Sequence, residues 1–214
     1  MKIYISHPIT ALPEPIYTMG IDSAIRLIKL AGHEPINPLE LTAHLTDKSH
    51  DNCMEICRIA VKGSDAFLVA TNSDTFNRSK GCTEELEIAK TQGIKILILS
   101  DMYMMVCENI LKITSDVLDM DINYIKSKSQ NRKIKDGKLE VVDVRKIYCV
   151  ASFTLLGNKQ SEVIADVINH HRCTAYHNYK GHDELFKTDP LYRNEFMKVW
   201  RKIETSIQYH AVQE

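Results

Sequence analysis

Over the first hundred residues, short apolar runs alternate with apolar positions at helical spacing; beyond that only the helical spacing continues. Lys2–Ser6 reads as a short strand, Glu34–Asn37 as a second strand holding Pro35 and ended by Pro38, Ala66–Ala70 as a buried strand and Ile94–Leu99 as the last. Between them, Tyr17–Ala31 sets Ile21, Ala24, Ile25 and Ile28 on one helical face and is stopped by Gly32. Asn52–Lys62 and Thr83–Gln92 are the other two helices, the latter ended by Gly93. This alternation predicts a parallel sheet covered on both faces. Ligands of such sheets sit beyond the carboxyl ends of the strands. Three loops leave those ends: Ser6–Pro15, Pro38–Asp51 and Thr71–Gly81.

After Asp101 the spacing predicts helices at Met104–Leu118, Asp119–Ser129, Val142–Leu156 and Asp189–Ile207, with Pro190 at a tolerated first-turn position. Ser161–His177 is the most informative stretch. Val163, Ile164, Val167 and Ile168 fall at helical spacing, Asn169-His170-His171 has no apolar residue, and a second helix begins near His171–Thr174, burying Ala175 and Tyr179. Helix, tight turn and a second helix with a polar start is how a helix-turn-helix reads DNA. The predicted fold class is therefore an α/β parallel-sheet, Rossmann-like domain at 1–101 and an all-α helix-turn-helix domain at 102–214.

Charge adds to this division. Net charge over 214 residues is −1. Residues 1–101 carry 10 basic and 13 acidic side chains, residues 102–214 carry 17 and 15, and Lys126–Lys146 holds 8 basic against 3 acidic. A basic segment beside a helix-turn-helix reads as a phosphate-binding surface or as a solvated, Lys-rich loop. No apolar run approaches the ~18 residues of a membrane span, and MKIYISHPIT is too short and too polar to predict a signal peptide. The six cysteines form no CxxC pair, so a zinc site is not expected and free thiols in a cytoplasmic protein are the default. No cofactor is expected either.

Two segments of the first half carry chemistry. Tyr4-Ile5-Ser6-His7-Pro8-Ile9-Thr10 resembles the opening of the nucleoside 2-deoxyribosyltransferase-like superfamily, typically YIxGPIT or YFCGSIR. Ser79–Ala89 (SKGCTEELEIA) resembles its SxGxxxExxxA segment. The resemblance implies that Glu85, four residues after Gly81, is the nucleophile. It implies a nucleotide site built from Tyr4, Ser6, His7, Pro8, Thr10, Asp65, Ser79 and Gly81. Ser79, two residues before the glycine, looks like the branch that hydrolyses 2′-deoxynucleoside 5′-monophosphates, where it binds phosphate. On the residues alone, Glu84, Glu85 and Glu87 also read as helix acids complementing the dipole. Breaking an N-glycosidic bond needs a carboxylate at the sugar carbon and an acid at the base. Cys57 stands where the family carries the Asp that serves as acid, with Glu55 and Asp65 as substitutes, and His7 replaces a small Gly.

From about Cys107 to Ile203 the chain resembles domain IV, the DNA-binding domain, of the bacterial replication initiator DnaA. Ile125–Ser129 looks like its LxSKSR segment, Val142–Ile147 its xxxRQI helix, Asn169–His177 its GRDHTTVLH signature, and Phe186–Pro190 the lead into its last helix. The resemblance implies base contacts from His171, Arg172 and Cys173. It implies phosphate contacts from Thr174, His177, Arg145 and Lys146, and a minor-groove contact from Arg132 or Lys133. Arg172 in place of the family's His implies a changed base preference. No GxxxxGK[ST] segment occurs, so the initiator's ATPase is not expected.

The expected partners are duplex DNA and a deoxynucleotide, ligand or substrate, with no membrane; the oligomeric state stays open, a homo-oligomer included. Three functions follow: a DNA-binding protein regulated by a nucleotide, an N-glycosidase on deoxynucleoside monophosphates tethered to DNA, or a protein-interaction module. Cys57 in the acid's place favours the first over the second.

Overall fold

A computed structural model of the chain describes residues 1–9, 12–127 and 139–209, the side chains of 207–209 excepted. It divides into two compact units, the boundary falling after Met102.

The first unit runs β1 (Lys2–Ser6), α1 (Glu14–Leu30), β2 (Glu34–Ile36), α2 (Pro38–Thr42), α3 (His50–Lys62), β3 (Ala66–Val69), α4 (Ser73–Asn77), α5 (Lys80–Thr91) and β4 (Lys95–Ile98). The four strands form a parallel sheet in the order β2-β1-β3-β4. The two central strands are the most apolar: Ile3, Tyr4, Ile5, Ala66, Phe67 and Leu68 are fully buried, as strands covered on both faces must be. Below the carboxyl ends, the Tyr4 and Phe67 rings stack at 5.9 Å and Phe76 meets Phe67 edge-on. This pins Tyr4 within the core.

The observed elements depart from the expected ones where capping decides. Asn37, read as the last residue of β2, lies outside it; its side chain accepts the Leu39 N–H at 3.0 Å and opens α2 on Pro38, which needs no N–H there. Asn72 likewise caps α4 through the Thr75 N–H. Helix α1 starts at Glu14, with Pro15 in its first turn, rather than at Tyr17. Helix α5 starts at Lys80 rather than Thr83, because Ser79 is its cap. Gly93, at φ +67°, makes the left-handed turn into β4 that few other residues tolerate.

Helix α6 (Leu99–Leu118) spans the boundary, and the second unit continues with α7 (Ile122–Lys126), α8 (Val141–Leu156), α9 (Ser161–Val167), α10 (Arg172–Lys180), α11 (His182–Thr188) and α12 (Pro190–Tyr209). Helix α8 is its axis. Val144, Ile147, Tyr148, Cys149, Val150, Ala151 and Phe153 are all buried, so this helix is covered almost all round. The Tyr148 hydroxyl donates to the Ile164 carbonyl of α9 at 3.0 Å. Between α9 and α10 the turn passes through Asn169 at φ +55°, and the His170 N–H returns to the Ala165 carbonyl, a left-handed helix end. Phe186–Pro190 reads in the sequence as a lead into the last helix; its first part belongs to the helix His182–Thr188, whose His182 ring meets Tyr192 and Phe196. Among the described residues, no helix is long and apolar enough to cross a membrane.

Candidate functional site

Along β1, residues two apart point to the same side. Tyr4 and Ser6 therefore present their hydroxyls together, and α5 brings Glu85 to meet them. Tyr4 Oη donates to Glu85 Oε1 at 2.7 Å, and Ser6 Oγ donates to Oε2 at 2.6 Å. Glu85 is only 6% exposed. Burial raises its carboxyl above the usual range, while the Ser6, Tyr4 and Cys57 hydrogen bonds pull it back by stabilising the charged form. Tyr4 is held well above the ordinary phenol range, by burial first and by Glu85 second. The result is a desolvated carboxylate fixed by donors to both oxygens.

Glu85 forms part of the wall of a cavity of about 380 Å³, within the range of small-molecule sites. His7, Ser79 and Gly81, all expected in the site, line the same cavity. Gly81 keeps the start of α5 low: a Cβ there would lie 3.2 Å from Met54 Sδ. Ser79 is buried and caps α5, its Oγ accepting the Cys82 N–H at 3.4 Å. Cys57 also lines the cavity, from α3. Burial pushes its thiol up to about 11, so it holds its proton at neutral pH. Pro8 is buried next to His7. Thr10 lies outside the described residues.

Asp65 does not join this group. It precedes β3 at the amino ends of the strands, exposed, with Oδ2 accepting the Lys2 N–H at 2.6 Å. The cavity is at the carboxyl ends, so neither the nucleotide-binding nor the acid role fits Asp65. Glu55 is exposed on α3 and is not among the cavity's lining residues, which removes the second substitute acid. Lys48, His50 and Tyr17 line the cavity and were missed. A signal existed for two of them: Lys48 and His50 lie in the Pro38–Asp51 loop, one of the three that leave the strand ends.

In the second unit, His171, Arg172, Cys173, Thr174 and His177 are exposed on α10 or at its start, while Ala175 is buried beneath them. The His171 ring caps α10, Nδ1 accepting the Cys173 N–H at 3.2 Å. Arg172 pairs with Glu162 of α9 at 3.2 Å across an open surface. The expected backbone contact from Arg145 is not supported. Its guanidinium is buried and donates to the Ile125 carbonyl at 2.7 Å and to the Ser127 carbonyl, closing the end of α7. A guanidinium spent on those carbonyls does not face a DNA backbone. Lys146 is half-withdrawn and bonded to Asp143 at 3.0 Å, one turn before it on α8. Arg132 and Lys133 lie outside the described residues. Among the described residues, no group of His, Cys, Asp or Glu is arranged to hold a metal.

Fold and site together define a parallel α/β domain with a buried-carboxylate pocket at its strand ends, followed by a helical unit. Residues 1–98 match the model of a family described as a domain of unknown function, DUF4406. No curated protein and no solved structure matches the chain.

Proposed function

We propose that the first unit binds a 2′-deoxynucleoside 5′-monophosphate and that Glu85 acts on its sugar, cleaving the N-glycosidic bond. The observation that carries this is the Glu85 carboxylate, buried at the cavity wall with Tyr4 and Ser6 donating to its two oxygens. A carboxylate in that setting either attacks C1′ or stabilises the positive charge that develops there. Ser79 and the start of α5 supply a polar, dipole-favoured end for phosphate, and Lys48 and His50 add basic groups to the same wall. The test incubates the protein with a panel of deoxynucleoside monophosphates and nucleosides, following free base by chromatography and ligand binding by thermal shift. Monophosphates should be preferred, and Ser79→Ala should narrow that preference. A panel that neither stabilises the protein nor loses base ends this reading.

A second reading concerns the other unit and is favoured by its own observation: α9, the turn at Asn169 and α10 leave a run of exposed polar residues over the buried Ala175. As a DNA-binding helix-turn-helix, α10 would lay Arg172 and Cys173 against base edges, with Thr174 and His177 at phosphates. Fluorescence anisotropy with labelled duplexes at several salt concentrations tests it. Absence of binding at low salt would leave this unit as a protein-interaction module. The two readings combine into one protein, a nucleotide-cleaving or nucleotide-sensing domain carried on a DNA-binding unit.

A further inference from the structure

Cleavage at the sugar carbon leaves a base that departs poorly as an anion, so a carboxylate alone does half of the work; a proton must reach the base. Cys57, in the position of an acid, keeps its proton too firmly, and neither Glu55 nor Asp65 lines the cavity. We propose that His7 is the proton donor to the departing base, an assignment that rests on the N-glycosidase reading above.

His7 follows the last residue of β1, beside the Tyr4 and Ser6 that hold Glu85, and lines the same cavity. It is 7% exposed, and its Nδ1 has no hydrogen-bond partner among the described residues. A buried polar nitrogen without a partner is costly, and one that persists calls for a reason, a catalytic role being among them. The ring is also seated deliberately. Helix α1 passes it at Gly20, where an added Cβ would stand 2.3 Å from His7 Nε2 and 3.0 Å from two ring carbons. Glycine inside a helix is unfavourable on its own account; here it leaves the space the imidazole fills.

The other titratable groups at the cavity are Tyr17 from α1, Lys48 from the segment before α3, and His50, Cys53 and Cys57 from α3; α5 contributes Cys82 and Glu85. Lys48 and His50 are exposed, and Glu85 is engaged as acceptor by Tyr4 and Ser6. His7 is the imidazole among them that is buried and has a ring nitrogen, Nδ1, without a partner. Burial lowers its pKa below the ordinary imidazole range, which makes its cation a readier donor and reduces the protonated fraction as pH rises.

The step balances. A Glu85 oxygen bonds to C1′ as the C1′–N bond breaks, and that bond's electron pair goes to the base, which takes the proton of the His7 imidazolium. Water then bonds to C1′, the C1′–O bond to Glu85 breaks and restores the carboxylate, and the proton that water loses returns to His7. Deoxynucleotide and water become deoxyribose 5-phosphate and free base.

The experiment compares dGMP with N7-methyl-dGMP, whose base already carries the positive charge and leaves neutral without a proton. His7→Asn should release guanine about 100-fold more slowly or worse, the scale of a lost general acid, yet stay within a few-fold of the wild type on the methylated nucleotide. Gly20→Ala, which pushes the ring aside without removing it, should show the same selective loss to a smaller degree. Wild-type release from dGMP should fall as pH rises, and His7→Asn should lack that limb. If His7→Asn does not fold by thermal melting, Gly20→Ala decides by the same comparison. An equal loss on both substrates, or none, overturns His7 as donor and leaves Glu85 in place. A wild type that releases base from neither of these nor from any other deoxynucleoside monophosphate of the panel overturns both assignments.

Discussion

The carboxyl edge of the sheet and the start of α10 are both polar clusters at the beginning of a helix, and they are built in opposite ways. At the sheet edge, Tyr4, Ser6 and Glu85 are buried and spend their polar atoms on one another, beside a cavity. At α10, His171–Thr174 are exposed, and their bonds are local: a cap and a surface ion pair. Burial is costly for polar groups and persists where they are held by partners. The first cluster suits chemistry on a small molecule taken out of water. The second suits contact with a large, wet surface, where side chains must be free to rearrange.

The comparison is broken most severely at Glu85. In Glu85→Ala, base release should fall at least about 10³-fold, the scale of losing a group that acts only in the transition state, while monophosphate binding by thermal shift persists. Comparable loss of binding would make Glu85 a binding group instead.

Arg145 separates structure from surface. Arg145→Met should lower stability by about 2–4 kcal/mol in urea unfolding, because the Ile125 and Ser127 carbonyls lose a buried charged donor. Its purified, folded form should keep the wild-type salt dependence of DNA binding. A reduced salt slope without loss of stability would return Arg145 to the DNA backbone.

Glu85 also sharpens the contrast through pH. Its carboxyl is raised in the folded protein, so the folded state holds that proton more tightly than the unfolded chain. Stability contributed by this group is therefore lost as pH climbs from the ordinary carboxylate range through the raised value. Glu85→Gln should melt higher than wild type at pH 7, with the gap closing toward pH 4. A gap independent of pH would mean that the carboxylate's charge is fully compensated by Tyr4 and Ser6.

The smallest effects belong to α10. Releasing the exposed Arg172–Glu162 pair costs little, so Arg172→Ala should fold normally and lose about 1–3 kcal/mol of discrimination at one base pair. Lys146→Ala should change affinity for all duplexes alike and only slightly, given its bond to Asp143. Selection of binding sites from a random duplex pool measures the first, and anisotropy the second.

Where apolar residues dictate the outcome, the pattern along the chain was readable. The buried runs at Ile3–Ile5 and Ala66–Leu68 can only be interior strands, and the parallel sheet followed. Glu85, Ser79, Gly81 and His7 were singled out by the resemblance of two short segments to a known family, and the structure brings the four to one cavity. Boundaries set by single side-chain caps were not readable, since Asn37 reads as the last residue of a strand and Asn72 as part of a loop until the N–H each accepts is known. Lys48 and His50 carried no pattern of their own.

Sequence alone therefore determined the alternation of elements, the two-part division and the residue types at the strand ends, because burial and helical period are local in the chain. Tertiary structure decided which of those residues meet. It buried Glu85 against Tyr4 and Ser6, drew Arg145 inward to close α7, and set Gly20 against His7. Such juxtapositions depend on how distant segments pack, and a pair of side chains dozens of residues apart leaves no period by which either could announce the other.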